Sequence, residues 1–380
     1  VNKNWDRNRR DFLKMASALG AAGLTLGQPL RTLAATAGKN RVMITGEALI
    51  EYDLRHVGYA GYAAVSAFLK NGAGCITNLG VAIAEPGKGQ ATRKDQFFHA
   101  ADPDVLLCLK DMGFNMLSLA GNHAWDMGTE GLLATRAAAE HSGFAVAGTG
   151  GDDTLAATPA RLKTAAGQLT LLSLATGKLN PEAIATPKQA GVNALEISEG
   201  FLDREDSHRN IRIIQDAAEA GDVVIVSHNN RVREDDLEAI PNWQRRWAHD
   251  CIEAGASIYV GSGAPMLQGI EIYRGCPIIY GLGNFIFHSR TEPEYYPGTA
   301  WESTVADCRF DGQKCVEIRL KPITLNEWGE EGSLYLATRG RPTLAQGDDA
   351  ARILERIAKL SLDEGTGIQI DGGEGIILIK

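Results

Sequence analysis

The sequence predicts an α/β domain with parallel strand pairing. Two observations carry that expectation. Short β-branched or Leu-rich runs alternate with longer helical segments along the chain. Polar residues also recur just past the ends of those runs, at Glu47, Asn78, Asn122, His228 and Ser262. Ligands of such sheets bind outside the carboxyl ends of the strands, so five polar groups converging there define one candidate site.

The elements follow in order. Arg41 to Thr45 reads as a strand ending at Gly46-Glu47, Ala60 to Lys70 as a helix, and Gly74 to Asn78 as a strand. Pro103 to Met112 is helical, with Asp102 as its expected N-cap. Phe114 to Leu119 is a strand that runs into Gly121-Asn122-His123, and Glu130 to His141 is helical. Leu169 to Leu174 and Val223 to Val226 have the composition of buried strands. Ser207 to Ala220 and Trp243 to Ala254 read as helices. Ile258 to Val260, Ile270 to Tyr273 and Ile278 to Tyr280 read as strands, followed by a β-rich stretch from Thr304 to Leu320 and a last helix from Asp348 to Leu360. Two long irregular stretches, Glu85 to Phe98 and Ser289 to Ala300, are expected to cover the site.

The totals narrow the classes. Apolar residues make up 44% and charged residues 22%, an ordinary globular composition. The net charge of -9 lacks the basic footprint that phosphate backbones require, so no nucleic-acid partner is expected. Beyond the N-terminal region no uncharged apolar run reaches the length of a membrane span. Six cysteines, at 75, 108, 251, 276, 308 and 315, form no C-x-x-C pair and no zinc-ribbon spacing, and are expected to be buried free thiols.

Arg9-Arg10-Asp11-Phe12-Leu13-Lys14, an apolar stretch from Met15 to Leu26 and Ala35-Thr36-Ala37 follow the order of a twin-arginine export signal and its cleavage site. Residues 1–37 are therefore expected to be a signal peptide and 38–380 the folded domain, located in the periplasm or cell envelope.

Gly121-Asn122-His123-Ala124-Trp125-Asp126 is the most specific internal motif. Asn can offer a carbonyl to a metal, His exchanges protons near neutral pH, and a nearby carboxylate orients the imidazole. This segment resembles the GNH-x-x-D-x-G segment of the CapA-like, poly-γ-glutamate capsule branch of the calcineurin-type metallophosphoesterases. Tyr280-Gly281-Leu282-Gly283-Asn284-Phe285-Ile286-Phe287 resembles that family's Y-S-L-G-N-F-x-F segment. Val42 to Gly46, Thr77-Asn78-Leu79, Gln268 to Tyr273, and Leu360-Ser361 followed by Gly365-Thr366 match further segments in order. The resemblance implies a metallophosphoesterase-like two-sheet sandwich flanked by helices, with metal ligands at the strand ends.

The departures bear on chemistry. Family Gly-Asp is Gly46-Glu47 here, Asn-Leu-Glu is Asn78-Leu79-Gly80, and the late G-x-H-P-H is Gly261-Ser262-Gly263-Ala264-Pro265. The His of H-W-G is aligned with His228. A two-metal hydrolase needs more carboxylate and imidazole ligands than these. The expectation is no metal cofactor; if one divalent ion binds, its ligands would be Glu47, Asn78, Asn122 and His228.

What remains is an acid/base set: Glu47, His123, Asp126 and His228, with Asp126 orienting His123. Substrate contacts are expected from Tyr52, Arg55, His56, Asn78, Asn122, Trp125, Ser262 and His288. The run Glu51 to Tyr62 supplies aromatic walls and Arg55 an anion partner, which suits a small organic, even aromatic, or peptide-like substrate. His99 has a loop context with a weaker claim, whereas His141, His208 and His249 fall on helices as structural or solvated residues. Three functional readings follow. The first is a lyase or epimerase working by His/Asp/Glu proton transfer, metal-free or with one metal. The second is a metal-dependent hydrolase of a poly-γ-glutamate-like amide or a phosphoester. The third is a non-catalytic envelope binding protein.

Overall fold

Two β-α-β series build the molecule, each packed around its own sheet. The structure, a computed structural model, describes residues 40–380 apart from 166, 233 and 333. The expected export segment, residues 1–37, lies outside the described residues. In the first series β1 (Arg41–Leu49), β2 (Gly74–Leu79), β3 (Met116–Ser118) and β4 (Ala145–Ala147) pair in parallel. Helices α1 (Gly61–Leu69), α2 (Asp104–Met112) and α3 (Gly128–His141) make the crossovers. Short β5 (Ala160–Thr164) turns back along β6 (Gly167–Thr176) and opens the second sheet. There β6, β7 (Val223–Asn230) and β8 (Ile258–Ser262) are parallel, crossed by α4 (Arg204–Glu219) and α5 (Asn242–Glu253). β9 (Leu267–Tyr273) and β10 (Cys276–Leu282) complete it, β10 running parallel to β8.

The chain then returns to the first sheet. β11 (Asn284–Phe287) pairs with the outer end of β1, β12 (Glu302–Asp311) runs antiparallel beside β1, and β13 (Lys314–Leu325) follows β12. β14 (Gln369–Asp371) and β15 (Glu374–Leu378) close that edge.

Period-two alternation decides which side chains meet between the sheets. Val42 and Ile44 of β1 and Val223 and Ile225 of β7 enter the shared inter-sheet core. Their neighbours face outward. Met43 packs with Leu69, Leu106 and Leu109, and Val224 and Val226 pack with Ile214 and Trp247. The result is a two-sheet sandwich with a helical layer on each outer face, the architecture that the motifs implied. Helix α6 (Gly347–Asp363) buries Ile353, Leu354 and Ile357 against the inter-sheet core. Each such side chain contributes on the order of 2 kcal/mol on burial. In its last turn Ser361 Oγ accepts the β9 amide of Ile270 at 3.0 Å, and just beyond it Thr366 Oγ1 accepts that of Ile272 at 3.1 Å, so the outer edge of β9 is met by side chains.

Element existence follows the sequence reading closely; boundaries move. Helix α2 starts after Pro103, with no side-chain cap, so Asp102 contributes only its carbonyl, to Val105 N. β4, β5, β11 and the β14–β15 hairpin are too short or too polar to have been read from periodicity. All six cysteines are free thiols.

Candidate functional site

Glu47 is placed by an irregularity. Register slips between β1 and β11 at Glu47/Ala48, and against β2 between Ile44 and Glu47, which turns the Glu47 side chain away from the strand's simple alternation. Gly46 permits this, because a Cβ there would lie 2.1 Å from the carbonyl oxygen of Gly283. Glu47 stands in register with Asn78 on one side and Asn284 on the other. Its carboxylate rests over Gly80: a Cβ on that glycine would be 2.7 Å from Glu47 Oε1. The two departures from the family pattern at 47 and 80 are thus sterically linked.

The second sheet meets this group through Asn229. Its Nδ2 lies 3.2 Å from Glu47 Oε2, 3.4 Å from Asn78 Oδ1 and 3.3 Å from Ser262 Oγ. Asn78 Nδ2 in turn donates to Ser118 Oγ at 3.0 Å and to Ala120 O at 3.1 Å. Ser118 and Ser173 Oγ atoms, 2.8 Å apart, join the two sheets again. This polar layer caps the apolar inter-sheet core and lies beneath a cleft of about 1130 Å³, whose lining it enters through Glu47.

The wall of the cleft carries the titratable chemistry. The turn after β3 brings Asn122, His123, Trp125 and Asp126 to its surface. His123 Nδ1 lies 2.9 Å from Asp126 Oδ2, and Arg93 pairs with the other carboxylate oxygen. Arg93 also approaches His123 Nδ1 at 3.2 Å. With the Arg93-paired carboxylate of Asp126 as the closer neighbour, Nδ1 is assigned the proton and donates it to Asp126. Nε2 is then the nitrogen left for a bound molecule. Burial pushes the His123 imidazole below its ordinary range, opposed by the Asp126 carboxylate, and the neighbouring His99 pushes in the same direction as burial.

His99 forms a second unit of the same design. Its Nδ1 is 2.6 Å from Glu51 Oε1, and Arg290 donates from Nε to Glu51 Oε2 at 2.8 Å. The His99 backbone N–H donates to Asp126 Oδ2 at 2.8 Å, which ties the two units together. The two imidazoles meet edge to face, with centroids 4.7 Å apart. Both line the cleft, beside Arg93, Lys178 and Arg231, and an aromatic side is built by Phe97, Trp125, Tyr295 and Tyr296. Asn284, also in the lining, has a buried Nδ2 with no protein acceptor.

Not all the expected residues come to this place. Glu47, Asn122, His123, Trp125 and Asp126 line the cleft, and Asn78 and Ser262 lie in the layer beneath it. His228 is a correction. Strand alternation points it to the far side of the second sheet, where Nδ1 meets Tyr259 OH at 2.6 Å and Nε2 meets Thr176 Oγ1 at 2.8 Å. It is fully buried, and burial lowers its pKa to about 3. Asn229, one residue later, is the side chain β7 aims at the cleft.

The expected aromatic and cationic wall is also corrected. Arg55 is occupied by Asp53 in three hydrogen bonds, and His56 is 80% exposed beside the same carboxylate. Tyr52 packs edge-on against His288. His288 is fully buried, its Nδ1 accepts the Glu51 amide at 2.9 Å and the Tyr52 amide at 3.3 Å, and burial lowers its pKa to about 3. None of these four lines the cleft. The residues that sequence reasoning missed are Glu51, Arg93, Asn229 and Arg290; His99 was raised but ranked low. Their one common signal was position: they sit in or beside the two irregular stretches expected to cover the site, or next to a chosen residue.

Around Glu47 the groups in contact are the amides of Asn78 and Asn229 and, through Asn229, the Ser262 hydroxyl, with the His123 imidazole near enough to feel the Glu47 charge. Among the described residues no three His, Cys, Asp or Glu side chains converge as a metal site. One charge and neutral oxygens do not fit the several anionic or imidazole ligands that a catalytic metal pair demands.

Comparison with known proteins agrees with the motifs. The family described as "Bacterial capsule synthesis protein PGA_cap" matches residues 37–289. The "Uncharacterized protein y4sH" of Sinorhizobium fredii is 27% identical, over 88% of this chain and 92% of that protein. "PGA biosynthesis protein CapA" of Bacillus subtilis is 32% identical over 47% of this chain and 44% of its own length. "Capsule biosynthesis protein CapA" of Bacillus anthracis is 26% identical over 62% of this chain and 54% of its own.

Proposed function

The chain belongs to the bacterial capsule synthesis protein PGA_cap family, and from that premise we propose that it is an acid/base enzyme of the cell envelope, acting in the cleft on a small organic or peptide-like anion. The supporting observation is the pair of carboxylate-backed imidazoles, Arg93–Asp126–His123 and Arg290–Glu51–His99. A binding protein has no need for two buried, oriented histidines side by side.

His123 is the base. Burial favours its neutral form, and Asp126 fixes the tautomer that leaves Nε2 bare. It takes a proton from a carbon next to a carbonyl, and His99 is the second group placed to exchange a proton with the same substrate. Because the imidazoles touch, both act from one side. A two-base epimerase works on opposite faces of a carbon, so the geometry favours a lyase, in which the departing group leaves on the face that lost the proton. Asn284 Nδ2, an unsatisfied buried donor, and Arg93 would hold the developing enolate oxygen. The aromatic side suits a flat portion of the substrate. Lys178 and Arg231 give the cleft mouth positive charge on a chain whose net charge is -9, which favours an anionic ligand.

The envelope location rests on the Arg9-Arg10 signal, and among the described residues no helix is long and apolar enough to cross a membrane. The test uses a γ-linked glutamate peptide and its N-benzoyl derivative as probes, in D₂O with chelator present. We expect His123-dependent uptake of deuterium next to a carbonyl, followed by mass spectrometry. His123→Ala should lower the rate by about 10²–10⁴-fold while the melting temperature holds. Undiminished exchange in that variant defeats the proposal, as does turnover only after a divalent metal is added; the latter would install the hydrolase reading in its place.

A further inference from the structure

We propose that the side-chain amide nitrogen of Asn229 occupies the position between the two sheets that a divalent cation would take, and that this chain is built to hold the sheets together there without one. The inference deepens the metal-free reading above but stands on different atoms. Three oxygens from both sheets, Glu47 Oε2, Asn78 Oδ1 and Ser262 Oγ, surround the single atom Asn229 Nδ2 at 3.2 to 3.4 Å. An amide nitrogen bears two hydrogens, so it can serve three such acceptors only by sharing. The oxygens are nonetheless spaced for an N–H donor. Oxygen ligands sit at roughly 2.0–2.6 Å from Mg²⁺ or Ca²⁺.

Charge points the same way. The cluster contains one carboxylate, Glu47, and the place of a second is closed. Gly80 cannot carry a side chain while Glu47 Oε1 lies 2.7 Å from where its Cβ would be. Asn229 Oδ1 is itself buried without a hydrogen-bond partner. The amide orientation that leaves it so is the one in which Nδ2 makes the three inter-sheet contacts.

The amide therefore plays the bridging part with no ion to lose.

The experiment is Mn²⁺ titration of the full chain followed by electron paramagnetic resonance, comparing wild type with Asn229→Asp. The substitution keeps the side chain's shape, removes the donor hydrogens and adds a second carboxylate. Wild type should leave the free Mn²⁺ signal undiminished, whereas Asn229→Asp should take up one Mn²⁺ per chain. Saturable one-to-one binding by wild type that Glu47→Gln abolishes overturns the inference, and so does a folded Asn229→Asp that gains no binding. Should that variant fail to fold, the wild-type melting temperature with and without Mn²⁺ decides: no shift is expected, and a rise lost in Glu47→Gln refutes the assignment. Neither refutation affects the deuterium-exchange test of His123, so the two proposals fail separately.

Discussion

Acid should loosen this fold through two histidines that the cleft does not use. His228 and His288 are both fully buried, and burial holds each at a pKa of about 3 against an ordinary value of 6.5. Above pH 6.5 neither state binds the proton and the two groups are silent. Below it the unfolded chain takes up protons that the folded one refuses, so stability falls as pH drops, until the folded pKa is reached. At about pH 5 the loss is about 2 kcal/mol for each histidine and about 4 kcal/mol together. Carboxylates also titrate in this range, so the informative comparison is between proteins. His288→Asn keeps an acceptor for the Glu51 and Tyr52 amides and removes the titration. Urea unfolding at about pH 7.5 and about pH 5 should show the wild type losing about 2 kcal/mol more than the variant. Equal losses in the two proteins would refute the reasoning, because they would mean that His288 is protonated in the folded state or never contributes.

Two further outcomes test other parts of the structure. Gly80→Ala should cost about 1–3 kcal/mol by overpacking against the Glu47 carboxylate, and Glu47→Asp in the same chain should recover most of it; a double-mutant cycle in thermal unfolding reads the coupling, and additive effects would contradict the steric link. His228→Asn should lower stability by about 1–3 kcal/mol through the broken Tyr259 and Thr176 contacts. It should leave His123-dependent deuterium exchange at the wild-type rate, and a collapse of that rate in a folded variant would return His228 to the catalytic set.

How much was legible depended on whether a residue's role is set by period or by neighbours. The strands and helices followed from hydrophobic periodicity, and the turn after β3 was recognisable because Asn122, His123 and Asp126 lie within one short motif. His228 stands out in the sequence by its place past a strand end and its match to the His of the H-W-G segment. A strand, however, reverses its face at every residue, and one position decides between a cleft and a helix layer. Glu51 and Arg290 lie 239 positions apart and meet only because β11 returns to the outer end of β1. No local pattern announces such a pair. Tyr52, Arg55 and His56 looked like a platform because they are close in sequence to Glu47, yet the chain has left the cleft lining after Leu49, and Asp53 takes Arg55 for itself. The bulge at Glu47 and its contact with Gly80 were visible as two oddities in the sequence but not as one event.

The placement of β12 has a consequence for how the chain acquires this shape. β1, the earliest strand among the described residues, is flanked in the finished sheet by β2 on one side and by β12 on the other, some 260 residues later. Parallel pairing and such distant partners make folding slow, because loop closure precedes the reward of contact. Residues 37–289, which carry the family match, would end with β11 on the outer end of that flank and its inner half, Arg41 to Ile44, open. The late strands are therefore not an appendage to a domain already complete. Until they arrive, half of the strand that presents Glu47 lacks its antiparallel neighbour, and the chain has an exposed edge to shield from other chains in the meantime.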